Sequence, residues 1–184
     1  PELAEVKLMS DFINQVSEKN KKFYGIKVQN TKVKTDLNFI NESLHSQFYN
    51  IESETRGKEL KLKIRNQKGE NISPDGNSDL FFAMGMSGNW GFLRNGKNLV
   101  ESVKTLSSEK HVKLMFPTLT GVLVMHDVRN FAKWKWSNDW SEKRGPDPLL
   151  EFESFKSHIQ NEMNNKRKKK LYTKPLNEIL MDQY

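Results

Sequence analysis

Apolar positions near the start of the chain follow a helical period. An apolar side chain recurs every three or four residues, at Val6, Met9, Ile13 and Val16. This spacing places the four side chains on one face of an α-helix. Glu2 and Glu5 stand where the first turn would begin, and the helix dipole favours carboxylates there. The pattern predicts an amphipathic helix over residues 4–16.

The period changes to two after Phe23. In residues 60–65 apolar side chains alternate with cationic ones, which predicts a strand with one apolar and one cationic face. Comparable alternations or apolar runs occupy residues 80–86, 112–116, 121–125 and 133–136. Turn-forming sequences separate these runs, among them Pro74-Asp75-Gly76-Asn77, Asn95-Gly96 and Pro117-Thr118. Many short strands with turns between them predict a β-sandwich or a barrel, with Trp134 and Trp136 in the core or on the strand surface.

A helical period returns after Gly145-Pro146-Asp147-Pro148. The apolar face of this segment would consist of Phe152, Phe155, Ile159 and Met163. A basic run follows at residues 166–170, and Pro175 suits the first turn of a further short helix. We therefore predict a mainly β fold with flanking helices. A domain of the β-sandwich or barrel type over residues 1–146 would precede the first helices of an α-helical domain over residues 147–184.

Composition favours an anionic partner and no metal. The 184 residues carry 30 Lys and Arg against 23 Asp and Glu, a net charge of +7. Such a surplus favours binding to an anion, although a solvated basic surface remains the alternative. No apolar run is long enough for a transmembrane helix, and no secretory signal opens the chain. Cysteine is absent, and the histidines lack the spacing of metal ligands, so we expect no metal or cofactor within these residues. The histidines are His45, His111, His126 and His158.

The first residue is itself a candidate nucleophile. Initiator methionine is normally removed before a small residue such as proline, so we expect Pro1 to carry a free secondary amine. At neutral pH roughly a tenth of α-amino groups are neutral, against roughly one lysine in 2,500. A neutral amine can attack C1′ of a sugar and form a Schiff base. Glu2, the next residue, is a candidate general acid. A terminal proline left by cloning is the alternative.

Six stretches together resemble the formamidopyrimidine-DNA glycosylase/endonuclease VIII family, in the order that the family uses. The first is Pro1-Glu2-Leu3-Ala4-Glu5-Val6, in which Ala4 replaces the family's second proline. The next three are Arg56-Gly57-Lys58-Glu59-Leu60, Gly85-Met86-Ser87-Gly88 and Asp127-Val128-Arg129-Asn130-Phe131-Ala132-Lys133-Trp134. The last two are Gly145-Pro146-Asp147-Pro148-Leu149 and the segment from Lys174-Pro175-Leu176 to Leu180-Met181-Asp182-Gln183. No single stretch is decisive, but the six are in register over the full length. The resemblance implies a two-sheet β-sandwich over residues 1–146, followed by the first helices of a truncated helix–two-turn–helix domain over residues 147–184.

The resemblance implies a bifunctional DNA glycosylase/AP lyase that removes oxidised bases in base excision repair. Pro1 would displace the base from C1′, Glu2 would protonate the ribose ring oxygen, and Lys58 would hold the phosphate beside the lesion. The Schiff base would then permit strand cleavage by β- and δ-elimination. Lys58 is alternatively an ordinary exposed strand lysine. Glu5 is either a member of this catalytic set or a carboxylate that caps the helix start.

The resemblance also implies that the partner is damaged double-stranded DNA. Met86, Arg129 and Phe131 match the positions that fill the gap left by a flipped nucleotide. A place in the strand core is the alternative for Met86, and a core position is the alternative for Phe131. Lys168 and Lys170 lie in the basic run, which is interpreted as a DNA contact, a solvated hinge or a nuclear-import signal. We expect an intracellular monomer, in the nucleus or another DNA-containing compartment, without membrane contact.

Several departures from the family pattern leave alternatives open. Ala83 stands where many relatives carry a histidine, which puts one phosphate contact in doubt. Ala132 replaces a glycine, so the loop after Phe131 is less free to adopt positive φ. The chain stops before the Gly-Ile/Val-Gly-Asn element and before any zinc or zinc-less finger of a C-terminal part, so we expect a fragment or a shortened relative. A DNA-binding module without activity and a basic structural β-protein are the alternative functions.

Overall fold

The computed structural model describes residues 1–34, 37, 40, 47–94, 109–142 and 145–164. The chain divides into two compact units, Pro1–Trp140 and Ser141–Tyr184. In its described residues the first unit contains the helix α1 (Leu3–Asn20) and the strands β1 (Lys27–Val28), β2 (Asn50–Arg56), β3 (Glu59–Arg65), β4 (Asp79–Ala83), β5 (Gly88–Arg94), β6 (Val112–Pro117), β7 (Gly121–Asp127) and β8 (Lys133–Ser137). The second unit contains the helix α2 (Phe152–Asn164). No helix in the described ranges is long and apolar enough to cross a membrane.

Two antiparallel sheets of four strands form the first unit. The first sheet has the order β1-β6-β7-β5, and the second has the order β2-β3-β4-β8. Leu60 and Leu62 of the second sheet are fully buried and share one core with Leu123 and Met125 of the first sheet. The inner faces therefore pack on each other, as in a β-sandwich. The predicted two-sheet fold with flanking helices is confirmed.

Helix α1 packs on the edge of the second sheet. It ends about one turn later than the predicted residue 16, and Val6, Ile13 and Val16 are buried in the common core as predicted. Asn14 Nδ2 donates to Ser53 O at 2.9 Å, and Ser53 N donates to Asn14 Oδ1 at 2.7 Å. This two-way bond attaches the helix to the edge strand β2 and so fixes the position of its first turn.

Neighbouring strands neutralise the cationic face of β3. Antiparallel pairing sets Glu54 of β2 opposite Lys61, whose Nζ lies 2.7 Å from Glu54 Oε2. Lys63 also contacts Glu54. Arg65 Nη1 lies 2.9 Å from Asp79 Oδ1 on β4. The alternation in residues 60–65 therefore produces a ladder of ion pairs, and these three cations are not available as a free basic patch.

The helix predicted from Phe152 onward is confirmed as α2. Asp147 and Glu151 order the turn before it, because Asp147 Oδ1 accepts the N–H of Leu149 at 2.7 Å and Asp147 N donates to Glu151 Oε2 at 3.0 Å. The basic run at residues 166–170 and the helix predicted from Pro175 lie outside the described residues. The domain boundary between residues 146 and 147 stays a prediction.

Candidate active site

The start of α1 fixes the residues around Pro1. Glu2 immediately precedes the helix in extended conformation. Glu2 N donates to Glu5 Oε2 at 2.6 Å, and Val6 N donates to Glu2 O at 3.0 Å. Glu5 therefore caps the helix start, as one of its two predicted roles requires. The cap holds the Pro1–Glu2 segment at a defined place on the surface.

Lys58 reaches this segment from the turn between β2 and β3. The turn requires positive φ at Gly57 (φ 59°), which glycine adopts without a steric penalty. Lys58 Nζ lies 2.6 Å from Glu2 Oε2, although both side chains are at least half exposed. The hydrogen bond and the charge of Lys58 hold the pKa of the Glu2 carboxyl below its usual range, and the amino terminus contributes in the same direction. Lys58 is thus a turn residue in contact with the candidate acid and does not lie in a strand, whereas its role as a phosphate contact stays a prediction.

A cleft of about 450 Å³ opens beside Pro1. Its walls come from α1 and from the turn and strand around residues 86–90. The lining residues are Pro1, Glu5, Leu8, Met9, Phe12, Met86, Ser87, Gly88, Asn89 and Trp90. Glu5 caps the helix and also lines the cleft, and its membership of the catalytic set stays a prediction. Two groups predicted for different tasks, Pro1 and Met86, border the same cleft.

Met86 lies at the tip of a tight turn between β4 and β5. Gly88 N donates to Met84 O at 3.0 Å, which closes the turn. Met84 is buried in the core, whereas 68% of Met86 is exposed. The flanking glycines correctly predict an exposed loop, and the strand-core alternative for Met86 is wrong.

Arg129, in the loop between β7 and β8, contacts both Met86 and its own loop neighbour Phe131. Arg129 Nη1 lies 3.3 Å from Met86 Sδ, and the Arg129 guanidinium lies 5.1 Å from the centre of the Phe131 ring. Phe131 is 52% exposed, so the core alternative is wrong for this residue. The three side chains predicted to fill a gap in DNA form one exposed cluster, Met86–Arg129–Phe131, which we call the wedge.

The sequence missed Asp127 and Ser87 as site residues. Asp127 is 1% exposed at the end of β7. Its Oδ1 accepts from Ser87 Oγ at 2.5 Å, and its Oδ2 accepts from Ala132 N at 2.7 Å. Burial raises the pKa of the Asp127 carboxyl, but these bonds and two more from the N–H groups of the following loop outweigh it and hold the pKa below its usual range. In β7, Asp127 occupies the same inward-facing set of alternate positions as Leu123 and Met125. A carboxylate at a position where the alternation predicts a buried side chain was the sequence signal that could have identified it.

The two alanine departures have different outcomes. Ala132 is buried and donates its N–H to Asp127, and the positive φ of this loop lies on Asn130 (φ 57°). The expected conflict with positive φ at residue 132 is therefore absent. Ala83 ends β4 opposite Glu59 and Lys133.

Lys168 and Lys170 lie outside the described residues. In the described part of the chain, no group of three or more His, Asp or Glu side chains is placed to hold a metal.

Curated relatives match the entire chain. Mouse Endonuclease 8-like 1 is 29% identical over 187 aligned residues, which cover 100% of this chain and 43% of the mouse protein. Human Endonuclease 8-like 1 is 27% identical with the same coverage. The chain thus spans less than half the length of these relatives.

Solved structures share the fold. The complex of wild-type Lactococcus lactis Fpg (MutM) with DNA containing an oxidised pyrimidine superposes with a TM-score of 0.54 at 22% identity, over 74% of this chain and 44% of that one. The complex of Lactococcus lactis Fpg with DNA containing an abasic site gives a TM-score of 0.52 at 21% identity, with the same coverage. At this identity the likeness concerns the fold alone.

A family model decides the assignment. Residues 1–134 match the Formamidopyrimidine-DNA glycosylase N-terminal domain. The match begins at Pro1 and includes Lys58, the wedge and the Asp127 loop. It covers most of the chain and agrees with both sheets of the sandwich. The chain therefore belongs to the formamidopyrimidine-DNA glycosylase family, a family of DNA-repair glycosylases.

Proposed function

We propose that this protein is a bifunctional DNA glycosylase/AP lyase that removes oxidised bases from damaged double-stranded DNA. The observation that carries the proposal is the ion pair of Lys58 with Glu2 directly beside Pro1, which lines a cleft together with Met86 of the wedge. The chemistry uses an amine and a carboxyl of the chain itself. The related Lactococcus lactis enzyme has been crystallised with oxidised-pyrimidine and abasic-site DNA, which supports the same class of partner here.

The proposed nucleophile is the secondary amine of Pro1. The neutral amine attacks C1′ of the damaged nucleotide, the C1′–N bond breaks, and the base leaves with the bonding electrons and a proton. Glu2 protonates the ribose ring oxygen, so that the ring C–O bond opens as the iminium forms. The iminium acidifies the C2′ proton. Its removal expels the 3′ phosphate, and a second elimination expels the 5′ phosphate.

Lys58 is proposed to hold the phosphate beside the lesion. Its side chain is half exposed, and its partner in the free protein is the still more exposed Glu2 carboxylate. A DNA phosphate can compete for such a group because an ion pair between exposed side chains is weak in water. Lys168 and Lys170 are proposed to add further phosphate contacts, each of which would make binding more sensitive to salt.

The wedge is proposed to occupy the space that the flipped nucleotide leaves. Extruding a base costs a few kcal/mol of stacking and pairing energy. Met86 and Phe131 offer apolar surface to the neighbouring bases, and Arg129 can hydrogen-bond the unpaired partner base. More than half of Met86 and of Phe131 is exposed, so both side chains are accessible to a duplex without unfolding of the core.

Borohydride trapping on a duplex with an abasic site tests the nucleophile. We expect a covalent protein–DNA adduct, with the modified peptide containing Pro1. One extra residue placed before Pro1 converts the amine into an amide and should abolish the adduct. Intact mass before the assay establishes that Pro1 is free. If the extended protein traps as well as the original, another amine such as Lys58 is the nucleophile and the proposal fails. Salt-sensitive DNA binding without any adduct would favour a DNA-binding module without activity.

A further inference from the structure

Asp127 gathers hydrogen bonds from two separate loops. Its carboxylate accepts Ser87 Oγ–H from the turn that carries Met86, and Ala132 N–H from the loop that carries Arg129 and Phe131. The N–H groups of residues 129 and 130 also point at it. The carboxylate is buried, so each of these donors replaces a hydrogen bond to water.

Ser87 links the same two loops a second time. Its hydroxyl donates to Asp127 Oδ1 at 2.5 Å and accepts the N–H of Arg129 at 3.0 Å. Strand pairing sets Gly88 directly opposite Asp127, which brings the turn and the loop side by side. A Cβ built on Gly85 would stand 2.9 Å from Phe131 C and Phe131 Cβ. The backbones that carry the wedge therefore touch directly and are also joined through one buried carboxylate.

We propose that Asp127, together with Ser87, is a positioning residue that presets the wedge for insertion into DNA. This inference rests on the proposed function, because it assigns a task to the wedge. Met86 and Arg129 contact each other at their exposed ends, and that contact is too weak to hold two surface loops in register. The buried Asp127 carboxylate is bonded to both loops and so supplies the rigidity that this contact lacks. Neither Asp127 nor Ser87 needs to touch the reacting sugar.

A carboxylate suits this place better than an amide of the same shape. All the groups that point at Asp127 are donors, and a carboxylate accepts on both oxygens. In Asp127→Asn one oxygen becomes an NH₂ group that faces a donor, so at least one loop loses its bond. The strand pairing of β5 with β7 is unaffected by the change. We therefore expect a wedge that is present but loosely placed, in a protein that still folds.

The test compares two substrates that differ in their need for a wedge. Misplacement of a positioning group by about 1 Å can cost on the order of 100-fold in rate. For Asp127→Asn we expect excision of an oxidised base from duplex DNA to fall by roughly 10- to 100-fold. Borohydride trapping on a single-stranded abasic site should change by less than about 3-fold, because no stack has to be refilled. The fluorescence of a 2-aminopurine beside the lesion, which reports unstacking, should rise less than with the original protein.

Two further variants separate positioning from simple loss of stability. Ser87→Ala removes one bridge between the loops and should reproduce the duplex-specific loss, whereas Ser87→Thr keeps the hydroxyl and should restore the original behaviour. Asp75→Asn is the matched control. Asp75 also accepts bonds from two serine hydroxyls and two backbone N–H groups, but its loop lies at the other end of β4. We expect this control to show no duplex-specific loss when it is compared with Asp127→Asn at equal thermal stability.

Each outcome has a defined meaning. A duplex-specific loss in Asp127→Asn and Ser87→Ala, absent in Ser87→Thr and Asp75→Asn, supports the positioning role. An equal loss on duplex and single strand, or no loss in a folded Asp127→Asn and Ser87→Ala, overturns it. If Asp127→Asn does not fold, the Ser87 pair decides in the same way. Absence of an adduct with the original protein would instead contradict the proposed function itself.

Discussion

Glu2 and Lys58 are largely exposed, yet their side-chain charges meet at 2.6 Å. The contact holds the pKa of Glu2 below its usual range, so the carboxyl is ionised in the free protein at neutral pH. A general acid must carry a proton. The proposed acid therefore acquires its proton more readily when Lys58 turns to a phosphate, since the ammonium then no longer stabilises the carboxylate.

Replacement of Lys58 by methionine should raise the pKa of Glu2 toward its ordinary value. The reason is the loss of both the hydrogen bond and the charge that lower it. The carboxyl ¹³C chemical shift of Glu2, followed by NMR from pH 2 to pH 7, measures the change. Lys63→Met is the control, because Lys63 pairs with Glu52 and Glu54 and not with Glu2. An unchanged midpoint in Lys58→Met would mean that the ion pair does not persist in solution.

Glu2→Gln should separate the two halves of the proposed reaction. General acids typically contribute about 10²- to 10⁴-fold to a rate, so base excision should fall by at least roughly 100-fold. Strand cleavage at a preformed abasic site should persist, because the base has already left and the abasic sugar opens to its aldehyde in water without help from Glu2. The measurement is a single-turnover time course on each substrate. Equal losses on both would indicate that Glu2 only orders the terminus.

At the scale of elements, the sequence predicts the helices and strands in which apolar residues recur with a clear period. Helix α1, β3 and α2 follow from their spacing, and the exposed Met86 turn follows from its two glycines. The strand β2 was missed because polar Ser53 and Thr55 occupy inward positions. The bonds from Asn14 of α1 go to the backbone of Ser53 and not to its hydroxyl.

The pattern of apolar and polar residues does not predict contacts between segments that are distant in the sequence. The meeting of Lys58 with Glu2 depends on the packing of α1 at the edge of the second sheet. The wedge likewise assembles from two loops that the β5–β7 and β4–β8 pairings bring together. Long-range register of this kind is set by the fold as a whole and leaves no local period in the sequence.

Gly85→Ala should displace the wedge by changing the backbone of the turn that carries Met86, without altering any of the three wedge side chains. Gly85 has φ 63°, and an added Cβ would meet the Phe131 backbone at 2.9 Å. The positive φ alone costs about 1–2 kcal/mol for a residue with a Cβ, and the displaced Phe131 loop adds to it. Gly69→Ala is the control, since Gly69 has φ 81° and nothing within 4 Å of its Cβ position.

Urea unfolding and duplex excision together test this prediction. The free energy of unfolding should fall by a similar amount in both variants, about 1–2 kcal/mol, because both place a Cβ at positive φ. Only Gly85→Ala should also lose excision from duplex DNA beyond what its stability explains. Equal activity of the two variants would show that the Phe131 loop tolerates the displacement.

At the scale of the whole molecule, the net charge of +7 is not spread evenly. The cations of β3, on the outer face of the second sheet, are held in ion pairs, with Lys63 in contact with Glu54 and Arg65 with Asp79. Cations that bind DNA must release counterions from it, and a lysine already paired inside the protein contributes little to that release. The basic run at residues 166–170 contains no acidic residue, so it is the stronger candidate for phosphate contacts.

The salt dependence of DNA binding distinguishes these two groups of cations. Lys168→Gln should reduce the slope of log K against log salt concentration by about 0.9, the value for one lost phosphate contact on duplex DNA. Lys63→Gln removes the same formal charge from the β3 ladder and should leave the slope unchanged within error. The measurement is fluorescence anisotropy of a labelled duplex with an abasic-site analogue at several salt concentrations. Similar decreases for both variants would mean that the ladder opens on DNA and that its lysines also contact phosphates. No decrease for Lys168→Gln would assign the basic run to a solvated segment without a phosphate contact at this residue.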